Sequence, residues 1–362
     1  MSKQLAALAA RLYLPFVLIV AVGVIVLLCA WLGSDEIGVS LTEMLIRMTV
    51  VVGLYMFVGN SGVLSFGHIA FMCIGAYADA WATCDPDWKG MMLTGLPSAL
   101  QEHQYPFLFA VVFAALLAAI VALIFGLIIL RLSGIAASIS TFAFLVVINS
   151  ITANWDTVTG GTSSVVNIPT VVGPWTAYAF AALTILAAAL LQNSSVGLML
   201  RASRDDEVAA KASGIGIVRL RLIAFVLSAF FLGVAGALYA QFLGILTADI
   251  FYIPLTFVAV TMLVVGGLTS LTGAVVGVVV ITAVTEILRA GEAGAHIGAF
   301  AFSLPRGTQE IGLGLIMALV LIYRPSGLTG GREAPMPSGW SVDVETALLA
   351  DKAEALRSAG PS

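Results

Sequence analysis

The residues of this sequence best placed to do chemistry lie between positions 193 and 222. Arg201, Arg204, Asp205, Glu207 and Lys211 recur there at helical spacings. Glu207 and Lys211 stand at i and i+4 in the orientation that favours an ion pair. Ala209 and Ala210 belong to the same short helix, and Gly214 ends it, as a residue free to take positive φ does. Gly216 follows two positions later. The pattern suits docking rather than bond-making, since a short charged helix between two apolar stretches is what a membrane protein needs to dock a soluble motor. A solvated loop that merely carries positive charge accounts for the same residues equally well.

A second group is buried in apolar sequence. Ser65 and His68 fall inside one such stretch, amid Gly59, Gly62, Gly67 and Gly75. A polar side chain within a membrane span is a functional candidate, although a hydrogen bond that fixes helix packing explains His68 more simply. Glycine weakens a helix by about 1 kcal/mol relative to alanine. In lipid such a cluster either lets helices approach closely or permits a broken helix whose backbone lines a cavity. Glu43 with Arg47 and Glu286 with Arg289 read as intrahelical ion pairs near the outer interface. Asp79 is the one unpaired carboxylate in an apolar stretch, close to its outer end. Lys3, Lys89, Lys211 and Lys352 are all the lysines, and none follows a glycine, so no G-x-x-x-x-G-K-[ST] phosphate loop is present. His68, His103 and His296 are scattered, and Cys29, Cys73 and Cys84 form no metal or disulfide pattern. The residues point to no enzyme and to no metal or cofactor bound by this chain.

The elements that must hold these residues are membrane spans. Hydrophobic residues make up 60% of the 362 positions and charged ones 10%, with a mean hydropathy of +1.07. A soluble chain carries about 25% charged residues. Apolar windows of about 20 residues, the length that crosses a hydrocarbon core, fall near 12–32, 38–58, 63–82, 107–130, 134–152, 173–192, 222–244, 251–267, 271–290 and 307–323. The expected fold is an all-α polytopic membrane protein of about ten transmembrane helices, with the first window a retained anchor rather than a cleaved leader. With both termini cytoplasmic, Arg131, Arg201, Arg204, Lys211, Arg219, Arg221, Arg324 and Arg332 all lie inside, while Lys89 and Arg306 lie outside. That asymmetry obeys the positive-inside rule. Residues 83–106 read as a polar, water-exposed loop and 153–172 as a loop loosened by Gly160 and Gly161. A membrane domain over 1–330 is followed by a tail over 331–362, either frayed or forming a short amphipathic helix over 343–358. Gly62 to Gly67 and Gly267 to Gly273 share a glycine-serine pattern at inner turns, a faint sign of an internal repeat.

Several segments together resemble the permeases of branched-chain amino acid ABC importers. Glu207-Val-Ala209-Ala210-x-x-x-Gly214 is similar to the coupling loop through which ABC importer permeases insert into their ATPase. Gly59-Asn60-Ser61-Gly62-Val-Leu-Ser65-Phe-Gly67-His68 resembles that family's early glycine-rich span. Asn154-Trp155-Asp156-Thr157-x-Thr159-Gly160-Gly161 resembles its central outer loop. Gly266-Gly267-Leu-x-Ser270-Leu-x-Gly273 and Tyr323-Arg324-Pro325-x-Gly327-Leu328 resemble its C-terminal signatures. The likeness covers about residues 40 to 330 and is nearest to the second of the family's two membrane subunits. Asn60 and Val63 depart from the pattern, which usually has tyrosine and a polar residue there.

The resemblance implies a permease in the bacterial cytoplasmic (inner) membrane, working by alternating access. Its partners would be a second permease subunit, two ABC ATPase subunits that hydrolyse ATP, and an extracytoplasmic solute-binding protein. Arg201, Arg204, Asp205, Glu207, Ala209, Ala210, Gly214 and Gly216 would form the coupling loop. Asn60, Ser65, His68, Thr141 and Asn149 are the candidates for the translocation pathway, with Gly59, Gly62, Gly67, Gly266, Gly267 and Gly273 as structural glycines. The substrates implied are branched-chain amino acids. Urea, amides, aromatic acids or an ion-driven secondary transporter are the alternatives.

Overall fold

The computed structural model describes residues 3–132, 134–293, 295–297, 300–302, 305 and 307–334. Its helices, in chain order, are α1 (Lys3–Leu32), α2 (Asp35–Ser61), α3 (His68–Thr83), α4 (Pro86–Met92), α5 (Ser98–Gln101), α6 (Phe107–Ile129), α7 (Ile135–Asn154) and α8 (Asp156–Thr159). They continue with α9 (Pro174–Asn193), α10 (Ser195–Asp205), α11 (Glu207–Ala212), α12 (Ile217–Leu243), α13 (Ile253–Gly266), α14 (Leu271–Ala293) and α15 (Thr308–Tyr323). Ala295–Ile297 and Phe300–Phe302 pair as a two-stranded antiparallel hairpin between α14 and α15. The amphipathic helix considered over 343–358 lies outside the described residues.

Each expected window holds one helix. Eight stretches of the described chain are long and apolar enough to cross a membrane, so this is a multi-pass, helical membrane protein. The helices α3 and α15, at 16 residues each, are shorter. The third window begins later than its hydropathy suggests, because residues 62–67 leave the helix and α3 starts only at His68.

The centre is built on α2 and α12. Every residue of α2 from Met48 to Ser61 is buried, as is α12 from Phe231 to Leu238. Helices enclosed on all sides have no use for a charged face, and here Val50 to Gly59 of α2 and Phe231 to Leu238 of α12 carry no charge. Close approach comes from small residues. A Cβ on Gly75 of α3 would stand 2.6 Å from the Cα of Gly233 on α12, and Gly233 itself faces the α6 backbone at Ala114 and Ala115. Glycine and alanine let helices meet backbone to backbone in lipid, where no hydrophobic force separates helix from solvent. The outer helices instead expose broad apolar faces, among them Leu27 and Leu28 on α1 and Ile135 and Ile139 on α7.

Two charged features differ from expectation. The pairs read as separate in sequence are one cluster: Arg47 bonds Glu43 within α2, and Arg289 of α14 reaches both Glu43 (3.7 Å) and Glu286 (3.2 Å). Sharing one carboxylate between two guanidinium groups lowers the cost of holding charge away from water. Residues 83–106 form a folded cap rather than a water-exposed loop. Leu93, Leu96 and Val158 make its small core against Trp81 and Trp88. Lys89 is fully buried there, its Nζ donating to the carbonyls of Trp81 (3.1 Å), Leu100 (2.7 Å) and His103 (2.7 Å). Burial pulls its pKa below the usual lysine value. A lone lysine in a polar stretch reads as solvated, and only the turn of α4 and α5 brings the three carbonyls around it.

K89M would leave those carbonyls buried and unpaired. The expected loss of local stability is about 2 kcal/mol or more. Proteinase K should then cut residues 84–106 at least about tenfold faster than in wild type, while the far-UV circular dichroism stays unchanged. Equal cleavage rates would show that the ammonium does not hold the cap.

Candidate functional site: the interrupted end of the bundle

The C-terminal ends of α2, α6, α9 and α13 gather at one end of the bundle with the N-terminal ends of α12 and α14. From this end hang α10 and α11. Ser194 caps α10, its Oγ accepting from the Gly197 N–H at 3.2 Å. Two arginines of α10 point inward. Arg201 Nη2 donates to the Gln192 carbonyl and Arg204 Nη1 to the Gly59 carbonyl, each at 2.8 Å. Those carbonyls lie in the last turns of α9 and α2, where backbone acceptors lack helical partners and the helix dipole attracts cations. The Arg204 stem crosses Gly62, which closes α2 at φ 72°, a left-handed turn that a side chain would both strain and obstruct.

The charged segment is not one helix. Asp206, at φ −150° and ψ 106°, ends α10 and caps α11, its Oδ1 accepting from the N–H groups of Val208 and Ala209 at 2.9 Å. Helical spacing alone hides this, because an acidic residue in a charged run suits a solvated helix face as readily as the N-cap it forms here. The break divides the roles. Arg201 and Arg204 root the element, whereas Val208, Ala209 and Lys211 face outward, with Val208 78% exposed.

Glu207 binds sideways rather than outward. Its carboxylate accepts from Lys211 Nζ at 2.8 Å and from Arg221 Nη2 at 3.0 Å, and Arg221 is buried in the first turns of α12. The Lys211 hydrogen bond, then that of Arg221, holds the Glu207 pKa below its ordinary 4.5. Gly214, at φ 77°, then turns the chain toward α12. Gly216, at φ −78°, has no such requirement. Sequence reasoning counted Arg221 only as an inner charge; its spacing of 14 from Glu207 signals nothing.

Two interruptions face each other behind this element. One is 62–67, between α2 and α3, and the other is 267–270, between α13 and α14. The last turn of α2, just before the first interruption, meets the second where Gly59 packs against the Leu268 carbonyl, at 2.8 Å from a Cβ placed there. The chain after α15 lies across the second. Leu328 N–H donates to the Val265 carbonyl (2.8 Å), and Thr329 N–H and Oγ1 both donate to that of Gly266 (3.2 and 3.0 Å). The Ser270 and Thr329 hydroxyls share a hydrogen bond of 3.1 Å, and Ser270 Oγ accepts from the Gly273 N–H at 3.0 Å. Gly266, Gly267 and Gly273 leave no room for side chains between these backbones. Glu333, within the residues read as a tail, caps α14 by accepting from the N–H groups of Leu271 (2.9 Å) and Thr272 (3.0 Å).

The pathway candidates fall in two places. Ser65 Oγ and His68 Nδ1 share a hydrogen bond of 2.6 Å, and Phe57, Phe71 and Phe225 surround the imidazole. Thr141 joins them through Gly67, which backs onto its main chain, and Ser138 Oγ donates to the Leu64 carbonyl at 2.6 Å. Asn60 Nδ2 donates to the Met56 carbonyl at 3.0 Å. The buried Asn60 Oδ1 and His68 Nε2 have no partner among the described residues. Asn149 sits apart, half-buried, with Nδ2 on the Ala248 carbonyl at 3.1 Å. The cavity beside Ser65 and His68 measures about 10 Å³, room for one water at most, so they line no open passage in this conformation. Larger clefts open elsewhere, one of about 480 Å³ between α13 and α15 beside Arg47 and Glu310 and one of about 540 Å³ beside Ser34 and Trp175. Asp79 is fully buried, and Gln241 Nε2 donates to its Oδ1 at 2.8 Å. No metal-holding group of three His, Cys, Asp or Glu occurs among the described residues.

The chain is thus a polytopic helical bundle with two interrupted junctions and a projecting charged helix pair at one end. The chain belongs to the family described as branched-chain amino acid transport system / permease component, whose match spans residues 36–323. It is 26% identical over 360 residues to the high-affinity branched-chain amino acid transport system permease protein LivM of Salmonella typhimurium, covering 88% of this chain and 74% of that one. It is 25% identical over 347 residues to LivM of Escherichia coli K12, covering 85% and 73%. No solved structure matches the chain.

The Glu207 tie should respond to acid. Because its pKa is lowered by folding, the stabilisation is complete above the ordinary value of 4.5 and is lost as pH falls through the lower folded value. A nitroxide at V208C, with the protein in lipid nanodiscs, should be restrained near neutral pH and loosen only as the pH falls below the ordinary carboxylate value of 4.5. In the E207Q background it should be loose already at neutral pH. Identical spectra in the two backgrounds would dismiss the tie.

Proposed function

We propose that this chain is the membrane-spanning permease subunit of an ATP-driven importer for branched-chain amino acids in the bacterial inner membrane. In this reading it pairs with a second permease subunit and two ABC ATPase subunits on the cytoplasmic side. An extracytoplasmic binding protein delivers the amino acid to the end that carries the α4–α5 cap. The observation that carries the reading is the α10–α11 pair, rooted inward by Arg201 and Arg204 while Val208, Ala209 and Lys211 face out. A surface of that kind meets a partner at one side and delivers its displacement to α2 and α9 at the other. ATP belongs to the partner subunits in this scheme, since the sequence holds no phosphate-binding loop. Asp205, Asp206 and Glu207 place negative charge at the α10–α11 junction, and Lys211 adds one exposed cation. The amino acid specificity follows the relatives' names, and the binding protein sets it in large part.

The buried Asp79, held by a neutral glutamine, favours a second reading, an ion-coupled carrier that needs no motor. The two differ in energy source. Proteoliposomes containing the permease pair, its ATPases and the binding protein should accumulate leucine only with internal ATP, and an ionophore should leave uptake intact. Uptake by the permease alone, abolished by an ionophore, would establish the second reading instead. Within the complex, E207A combined with G214V should cut ATP-driven uptake at least about a hundredfold. The mechanism is loss of the Arg221 tie together with strain of about 1–2 kcal/mol at a left-handed turn. Wild-type uptake by that double variant, correctly inserted, would rule out α11 as the coupling element.

A further inference from the structure

The carboxylate of Glu333 receives four hydrogen bonds. Leu271 N–H (2.9 Å), Thr272 N–H (3.0 Å) and Thr272 Oγ1 (2.8 Å) come from the start of α14, and Gln192 Nε2 (2.9 Å) comes from the end of α9. The Gln192 Oε1 accepts from the Tyr55 hydroxyl of α2 at 3.2 Å, and the Gln192 carbonyl accepts from Arg201 of α10 at 2.8 Å. One residue pair thus joins the docking element to the interruption that precedes α14. We propose that Gln192 and Glu333 are positioning residues that transmit displacement of α10 to the α13–α14 interruption, so that motor movement on one side opens or closes the bundle on the other. The inference rests on the reading of α10–α11 as the motor-docking element.

A simple helix cap does not account for the arrangement. Capping α14 needs only the backbone N–H groups of its first turn, and a carboxylate there is favoured by the helix dipole. Nothing in that requirement calls for an amide from α9, oriented at its other end by a tyrosine of α2. Apolar contacts between helices are non-directional and let helices slide. Hydrogen bonds to a carboxylate are directional and about twice as strong as neutral ones, so they resist sliding. The same strap that carries Glu333 also holds the last carbonyls of α13 through Leu328 and Thr329. A pull on Gln192 therefore reaches both sides of the interruption together.

The test uses the complete complex in proteoliposomes, with leucine uptake and phosphate release measured in the same vesicles. Q192L keeps the backbone carbonyl for Arg201 and the α14 cap intact while removing the link between them. Uptake per ATP hydrolysed should fall about tenfold, with hydrolysis within about twofold of wild type. Q192E sets two carboxylates together and should be at least as uncoupled. Assembled Q192L complex with unchanged uptake per ATP would overturn the proposal. So would a parallel fall of uptake and hydrolysis in Q192L, since a mere brace for assembly behaves that way. If the wild-type complex shows no ATP-driven uptake, the functional reading falls along with this one. A coupled wild type with an indifferent Q192L overturns this inference alone.

Discussion

Backbone groups freed from a helix inside a membrane protein must find partners within the protein, because hydrocarbon offers none and each unpaired group costs several kcal/mol. Two interruptions, at 62–67 and 267–270, create that demand at one end of this bundle. Side chains and a returning strap meet it. Arg204 takes the Gly59 carbonyl, Ser61 Oγ takes the Val63 N–H, and Ser138 donates to the Leu64 carbonyl. At the second interruption Leu328 and Thr329 supply donors, and Ser270 and Glu333 supply acceptors. The charged loop, the last residues of the membrane domain and the glycine clusters are separate in sequence, yet all of them answer this one requirement.

Satisfying the interruptions fixes which parts of the bundle can move together. Gly59 lies against Leu268, so the end of α2 that leads into the first interruption cannot shift without disturbing the second. Gly67 lies against Thr141, which adds α7 to the same unit. Ser65 and His68 stand at the edge of this contact, their hydrogen bond made with each other and the imidazole walled by phenylalanines. By contrast, the capped end is stiffened from within by Lys89 and its three carbonyls. A rigid cap at one end and a hydrogen-bonded junction of several helices at the other is a division suited to levering.

What the sequence made legible follows from the range of the interactions involved. Hydropathy is a local property summed over about 20 residues, so it located a helix in each window and the multi-pass class with it. It misplaced the start of α3 because Val63, Leu64 and Phe66 are as apolar as the helix they precede. The Glu207–Lys211 pair was readable because its partners are one turn apart. The Asp206 break was not, since acidic residues suit both a helix start and a solvated face. Lys89 read as an exposed outer charge, and its burial depends on a fold that hydropathy does not describe. Glu333 and Gln192 were invisible for a plainer reason: 141 residues separate them. Only the packing of α9 against α2 and the return of the strap make them neighbours.

The position of the charges at the interrupted end carries the last step. A docking surface read from composition alone would use its arginines outward, as bait for an acidic partner. Here Arg201, Arg204 and Arg221 are turned inward, onto the Gln192 carbonyl, the Gly59 carbonyl and the Glu207 carboxylate. What remains outward on α11 is small or apolar apart from Lys211, and α11 is only six residues long. A partner docking on such a surface would gain little from long-range attraction, which salt screens over about 8–10 Å, and more from shape and apolar burial. Arg201 and Arg204 tie α10 to α9 and α2, and Arg221 ties α11 to α12 through Glu207, so the helix of six residues is anchored at its first residue and through the longer helix that precedes it.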